Sequence, residues 1–244
     1  DWNRDYVIDN RSKFEDTYEL LSNENSKKTM QYYLDAAIGG KFDKLFRECR
    51  ETSMYFDGKI KEYSLDKIFD CGAFDGDSIH DFIAAYPDYK KLYAFEPDKA
   101  NIDKINERIK REGIHDLQII DKGVWSETTT LHFESDGTSM SSISDEGAQT
   151  IEVIKLDDMY DCFDSKSLIK MDIEGSELEA LKGAEKIIKE IKPALAICVY
   201  HRREDLITIP QYIDSLAPQG TYDYYLGYQG LDLAELVFYA VPKK

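Results

Sequence analysis

The sequence predicts a doubly wound α/β domain, Rossmann-like, with a mostly parallel sheet and helices on both of its faces, preceded by a short helical extension. Two observations carry that expectation. From residue 66 onward, short apolar runs alternate with amphipathic stretches of helical period, and repeated β-α-β units imply a mainly parallel sheet. Before residue 65, apolar residues recur instead at three- and four-residue steps, the mark of helices that bury one face. A chain of 244 residues is of ordinary size for one such domain.

The elements follow in order. Phe14, Tyr18 and Leu21, then Met30, Tyr33, Leu34, Ala37 and Ile38, outline two helices, with Asn25 or Ser26 placed to cap the second and Gly39-Gly40 to end it. A third short helix is expected over Phe42–Arg50, before the turn-forming Asp57-Gly58. The apolar faces of these helices need a partner surface, so residues 1–64 are read as a lid or side wall on a domain formed by residues 65–244. In that domain strands are expected at Lys67–Cys71, Lys91–Phe95, Leu117–Ile120, Leu168–Met171 and Ala194–Tyr200. Helices are expected at Asp77–Tyr86, Asp98–Arg111, Ser176–Glu190 and Glu204–Leu216. Thr129–Phe133 and Thr150–Ile154 form a further pair of strands, and Tyr222–Gly227 with Glu235–Val241 close the chain. Residues 135–149, rich in Ser, Gly and Asp, read as one long loop in which Ser139, Ser141 and Ser142 either close over an acceptor or are simply solvated.

Composition excludes several classes. With 42% hydrophobic and 32% charged residues the chain has the make-up of a soluble globular protein. No apolar run approaches the roughly 18–20 residues of a membrane span, and the opening Asp1-Trp2-Asn3-Arg4-Asp5 lacks the layout of a signal peptide. Cys49, Cys71, Cys162 and Cys198 show neither metal-ligand spacing nor a paired framework, which fits a reducing cytoplasm. A net charge of −17 repels phosphate backbones, so no nucleic-acid or anionic-membrane partner is expected. Oligomeric state is left open.

The most informative stretch is Asp70-Cys71-Gly72-Ala73-Phe74-Asp75-Gly76-Asp77-Ser78, where the first strand turns into a helix. Gly72 permits a tight turn, Gly76 lets the helix start pack close to the strand, and the N–H groups at that start can hold an anionic group. Twenty positions beyond Gly76, Glu96 ends the second strand, where an acid can accept hydrogen bonds from ribose hydroxyls. A dinucleotide turn would place a second glycine where Phe74 stands. Asp70, Asp75 and Asp77 make the turn acidic, which disfavours a pyrophosphate and suits a ligand carrying a sulfonium and an α-ammonium group. The spacing therefore favours S-adenosylmethionine over NAD, and a turn without a ligand is the remaining alternative.

Together with Ala94-Phe95-Glu96-Pro97, Ile169-Lys170-Met171-Asp172-Ile173-Glu174-Gly175, Gly183-Ala184 and Val199-Tyr200-His201, this stretch resembles the FkbM-type methyltransferases, a branch of the class I S-adenosylmethionine-dependent enzymes. The resemblance covers roughly residues 66–241, and residues 20–56 look like the helical leader of some bacterial members. It implies a seven-stranded fold in which Gly72, Ala73, Phe74, Asp75, Gly76 and Ser78 lie around the methionine moiety of the donor and Glu96, with Pro97, lies on the ribose. Asp121-Lys122-Gly123-Val124 would lie beside the adenine. It further implies methylation of a hydroxyl oxygen on a sugar, glycan or other small metabolite, with S-adenosylhomocysteine as product.

Methyl transfer from a sulfonium is an in-line displacement that depends on positioning, and a hydroxyl acceptor also benefits from a base or a metal. Asp172 and Glu174 follow the fourth strand two positions apart, so in an extended stretch their side chains share a face. They could bind the donor's amino group, hold a divalent cation such as Mg²⁺, or accept the hydroxyl proton. Alternatively they serve the next helix, although Ser176 with Glu179 already has the form of a capping box. His201, after the fifth strand, is a candidate general base or a histidine bonded to nearby backbone. Arg202 and Arg203 could meet an anionic acceptor or face solvent, and Tyr222, Tyr224, Tyr225 and Tyr228 read as packing before they read as a sugar platform. The rivals to an O-methyltransferase are an NAD-linked oxidoreductase and a non-catalytic adenosylmethionine-binding interaction module.

Overall fold

The structure is a computed structural model that describes all residues except 1, 3, 52–54, 57, 134–148 and 244. The expected loop, with Ser139, Ser141 and Ser142, lies outside the described residues apart from Gln149.

In chain order the helices are α1 (Arg4–Asp9), α2 (Arg11–Leu20), α3 (Glu24–Gly39), α4 (Asp43–Cys49), α5 (Gly58–Lys61), α6 (Asp77–Ala85), α7 (Lys99–Glu112), α8 (Glu177–Lys182), α9 (Glu185–Glu190) and α10 (Asp205–Leu216). The strands are β1 (Lys67–Cys71), β2 (Lys91–Phe95), β3 (Leu117–Ile120), β4 (Gly123–Val124), β5 (Thr129–Phe133), β6 (Gln149–Ile154), β7 (Ser167–Met171), β8 (Ala194–Cys198), β9 (Tyr222–Tyr228) and β10 (Leu236–Pro242). The fold is α/β with a seven-stranded, mostly parallel sheet in the order β3-β2-β1-β7-β8-β10-β9. Contacts group the chain into two compact units, Leu65–Pro193 and a second made of Asp1–Ser64 with Ala194–Lys244. Residues after 193 thus group with the N-terminal helices, whereas the sequence drew its boundary at 64/65.

In the unit Leu65–Pro193, β1 pairs in parallel with β2 on one side and β7 on the other, and β2 pairs in parallel with β3. Strands covered on both faces need continuous apolar runs, and β1 and β7 are buried almost end to end. Phe69 of β1 is stacked between Tyr93, at 4.4 Å, and Phe163, at 3.6 Å. The register sets Cys71 beside both Phe95 and Met171, so the chain leaves the three strands at one level, at Gly72, Glu96 and Asp172. Successive strands run away from β1 in opposite directions there, and such a switch point is where open α/β sheets bind ligands. The pair expected at Thr129–Phe133 and Thr150–Ile154 is present, and with β4 it makes a separate sheet ordered β4-β6-β5.

The helix expected over Ser176–Glu190 is interrupted instead, as α8 and α9 flank Gly183-Ala184. A Cβ on Gly183 would stand 2.0 Å from the carbonyl oxygen of Trp125, so the break is where the helix meets that backbone.

In the other unit β10 runs antiparallel to β8 and β9. The N-terminal segment lies along β9: Ser22 N donates to Tyr224 O and Glu51 N to Tyr228 O, each at 2.8 Å. Those contacts cover backbone that an edge strand would otherwise leave open to another chain. Helix α3 starts earlier than expected, since Asn23 is its cap and accepts from Ser26 N at 2.8 Å. Neither Asn25 nor Ser26 caps it, and the Ser26 hydroxyl accepts from Leu226 N at 3.0 Å. Gly40 closes the helix with φ 63°. Tyr222, Tyr224 and Tyr228 are buried, with Tyr224 stacked on Phe238 and bonded to Asp214, so these rings pack. Arg203 lies over the Tyr6 ring at 4.3 Å. Among the described residues no helix is long and apolar enough to cross a membrane.

Candidate active site

The turn after β1 is shaped by backbone that side chains rarely adopt. Gly72, Phe74 and Gly76 have φ of 84°, 46° and 84°. Glycine tolerates that region without cost, whereas Phe74 does not, so the turn needs external support. Gly72 and Ala73 both donate to Phe95 O at 3.1 Å. Phe74 N donates to Glu96 Oε2 at 2.9 Å, and Arg108 Nε donates to Asp75 O at 2.9 Å. Beneath the turn, Lys170 Nζ donates to Gly72 O at 2.8 Å and lies 2.9 Å from Asp70 Oδ1, while Ser78 Oγ donates to Asp70 Oδ2 at 2.5 Å. Burial pushes the Asp70 carboxyl up, against the pull of Lys170 and Ser78.

Above these strand ends lies a cavity of about 350 Å³, a size suited to a small ligand. Gly72, Phe74, Glu96, Pro97 and Asn101 form one part of its wall, and Asp172, Ile173, Glu174 and Ser176 another. Val124, Trp125, Leu131, Ile151 and Val153 supply an apolar side, with Gly123 among them. A side chain at Gly72 would force the neighbouring backbone to shift, because a Cβ there would stand 2.0 Å from Asp172 O.

Glu96 is buried, yet its oxygens are bonded: Oε2 to Phe74 N, and Oε1 to Asp98 N at 2.9 Å and Asn101 Nδ2 at 3.4 Å. Burial raises its pKa above the ordinary carboxylate value, and these hydrogen bonds oppose the rise. The acid therefore joins the β1 turn to the start of α7 while facing the cavity. Phe74 is 55% exposed, an unusual state for a phenylalanine on a strained backbone, with Lys104 Nζ 4.9 Å from its ring centre.

Of the residues singled out from sequence, Gly72, Phe74, Glu96, Pro97, Gly123, Val124, Asp172 and Glu174 line the cavity. Ala73, Asp70 and Ser78 are buried outside its lining, and Gly76 and Asp75 face Arg108. Three arguments from sequence are corrected. The turn is less acidic than it reads, because Asp70 is paired with Lys170 and Asp75 with Arg108 at 3.2 Å. Asp172 and Glu174 do not share a face through extended backbone, since Glu174 has φ 55° in a turn; the bend itself brings both to the cavity. Nor is there a Ser176–Glu179 capping box: Ser176 makes no side-chain capping bond, and Glu179 is paired with Lys182. The fully buried Glu177 takes that place, accepting from Ile173 N at 2.8 Å. His201 belongs to the other unit, half-buried just past β8 with its ring 4.2 Å from that of Tyr200.

Lys170, Glu177 and Trp125 were not assigned a role from sequence. A charged residue inside the apolar run Leu168-Ile169-Lys170-Met171 was the available signal for the first. Glu177 and Trp125 gave none, because their roles arise from backbone groups brought near by the fold.

The profile of the methyltransferase FkbM domain matches residues 70–224, more than half of the chain. Among solved structures, a methyltransferase FkbM from Methylobacillus flagellatus KT superimposes with a TM-score of 0.82 at 27% identity, covering 98% of this chain and 60% of that one. This chain thus spans about three fifths of that protein's length. Two weaker likenesses are to an rRNA methylase from Streptococcus thermophilus and to the O-methyltransferase TomG from Streptomyces achromogenes. The first has a TM-score of 0.47 and 17% identity over 74% of this chain and 88% of that one. The second has a TM-score of 0.48 and 10% identity over 100% and 97%. No curated protein matches the chain.

Proposed function

Because this chain belongs to the FkbM family of methyltransferases, we propose that it binds S-adenosylmethionine in the cavity of Leu65–Pro193 and methylates a hydroxyl oxygen of a sugar, glycan or other small metabolite. The observation that carries the donor assignment is the convergence of Gly72, Glu96 and Asp172 on one cavity from three strand ends in register. Three features support the fit. The absent Cβ at Gly72 lets the Asp172 backbone close against the turn, so that Gly72 and Asp172 share one cavity wall. The buried Glu96 carboxylate suits ribose hydroxyls, and the side formed by Val124, Trp125, Ile151 and Val153 suits an adenine. Phe74 occupies the position where a dinucleotide turn needs glycine, which weighs against a pyrophosphate.

The bound donor supplies a methyl carbon made electrophilic by its sulfonium. The chain's own residues hold the reactants in line, exclude water through the apolar wall, and surround the positive centre with the carboxylates of Asp172 and Glu174. As the acceptor oxygen bonds to the methyl carbon and the carbon–sulfur bond breaks, the hydroxyl proton passes to a base, and Asp172 is the candidate within the cavity. His201 is a second candidate, proposed on residue type and its place after β8 alone. Four cysteines spaced neither as metal ligands nor as a paired framework support a reducing, cytoplasmic setting.

Calorimetric titration of the protein with S-adenosylhomocysteine, with NAD and NADH alongside, tests the reading. Micromolar binding of the former alone is expected. Glu96→Ala should weaken it by about 1.5–3 kcal/mol, the worth of a hydrogen bond to a charged group. Binding of a dinucleotide alone, or an unchanged affinity in the variant, removes the assignment. If the donor binds but acceptor screens with labelled adenosylmethionine find no transfer, the non-catalytic module takes its place.

A further inference from the structure

Lys170 lies in the middle of β7 and is 3% exposed; among the described residues no other lysine or arginine is buried. Burying an ammonium ion costs several kcal/mol even when it is paired, and apolar replacements for such pairs are often neutral or stabilising. Stability alone is therefore a poor account of the Lys170–Asp70 pair. An apolar pair could not do what the ammonium does at its other contact, which is to donate to Gly72 O at 2.8 Å.

That carbonyl begins a turn in which Gly72, Phe74 and Gly76 all have positive φ. Each part of the turn has its own clamp: Lys170 at Gly72 O, Glu96 at Phe74 N, and Arg108 at Asp75 O. The clamps at Phe74 and Asp75 reach in from β2 and α7, whereas Lys170 reaches in from β7, two residues before Asp172 enters the cavity wall. Asp70, bonded to Ser78, fixes the ammonium in turn and ties it to the first turn of α6.

We propose that Lys170 is a positioning residue for donor binding: its ammonium fixes the Gly72 carbonyl and so sets the turn that faces the donor, with Asp70 and Ser78 as its anchor. This rests on the donor reading above and extends it to a residue outside the cavity lining.

Removing Lys170 alone would leave Asp70 as a lone buried acid, so the test removes both charges together, as Asp70→Asn with Lys170→Met. Three quantities are read: the melting temperature, the affinity for S-adenosylhomocysteine, and hydrogen exchange at the Gly72 and Ala73 amides, which are normally bonded to Phe95 O. The double variant is expected to melt near the wild type, to bind at least about ten-fold more weakly, and to exchange those two amides faster while the amides of β1 stay protected. Wild-type affinity together with wild-type exchange at Gly72 and Ala73 overturns the proposal. If the wild type itself does not bind S-adenosylhomocysteine, the donor reading fails separately, and exchange at the two amides still decides the role of Lys170. Should the double variant not fold, Asp70→Asn with Lys170→Leu replaces it. Failure of both to fold makes Lys170 a structural residue and overturns the proposal as well.

Discussion

Gly72 and Gly76 share the same backbone angle, φ 84°, yet differ in what a methyl group would meet, and that difference predicts unequal costs. At Gly76 a Cβ would come 3.3 Å from Arg108 Cδ, the middle of a flexible side chain that can shift. Gly76→Ala should therefore cost little beyond the left-handed backbone, about 1–2 kcal/mol. At Gly72 the same backbone cost applies, but the Cβ would also stand 2.0 Å from Asp172 O and 3.0 Å from Ile173 Cγ2. Asp172 N is bonded to Cys71 O at 3.1 Å, so its backbone cannot retreat without disturbing the β1–β7 junction. Overpacking of this kind adds about 1–3 kcal/mol, which brings Gly72→Ala to roughly 2–5 kcal/mol. For a chain of this size each kcal/mol lowers the melting temperature by about 2–4 °C. Thermal melts and urea denaturation of both variants, followed by titration with S-adenosylhomocysteine, measure the contrast. Gly72→Ala should also lose donor affinity, since the displaced Asp172 belongs to the cavity wall. Equal stability losses in the two variants, or a Gly72→Ala protein with undiminished affinity, would refute the reasoning.

Three other outcomes are expected. Gly183→Ala introduces no backbone strain, as φ is −74°, but directs a methyl group at Trp125 O; a loss of about 1–3 kcal/mol in denaturation and weaker donor binding should appear together. Burial holds the Glu96 carboxyl above its ordinary 4.5, so it takes up its proton at a higher pH than a free glutamate. Donor affinity should then decline as pH falls through that raised value, and Glu96→Gln should flatten the decline. The unliganded fold should respond with the opposite sign, since a raised carboxyl pKa favours the native state below the ordinary value and loses that contribution as pH rises through the raised one. Asp172→Asn should leave the melting temperature within a few degrees while reducing single-turnover methyl transfer to any identified acceptor; unchanged turnover would move the base elsewhere.

Much of the fold was legible because its signals are local. The buried strand Ala194–Cys198 is apolar throughout and Leu168–Met171 is apolar but for Lys170, and Gly72 and Gly76 mark the turn that the residues before and after them frame. The break at Gly183 was not legible, because a glycine inside a helical pattern does not reveal a carbonyl pressing on it from Trp125. The Ser176–Glu179 spacing obeyed the capping rule and misled for a related reason: the bend at Glu174 presents the N–H of Ile173 to Glu177 instead.

The electrostatics of the site show the same division. Asp70, Asp75 and Asp77 lie so close in sequence that they read as one acidic patch facing the ligand. Their partners enter from elsewhere, Lys170 from β7 and Arg108 from α7, and both pairs turn away from the cavity. Of the carboxylates that do face it, Glu96 is far along the chain from Asp172 and Glu174, and they meet only because β1, β2 and β7 end in register. The sulfonium donor proposed above would thus still meet negative charge, but charge that the sheet topology assembles and that the glycine turn does not supply. Reversing that charge at the turn, at Asp75, should consequently disturb Arg108 and α7 before it disturbs the donor, whereas the same change at Glu174 should be felt by the donor first.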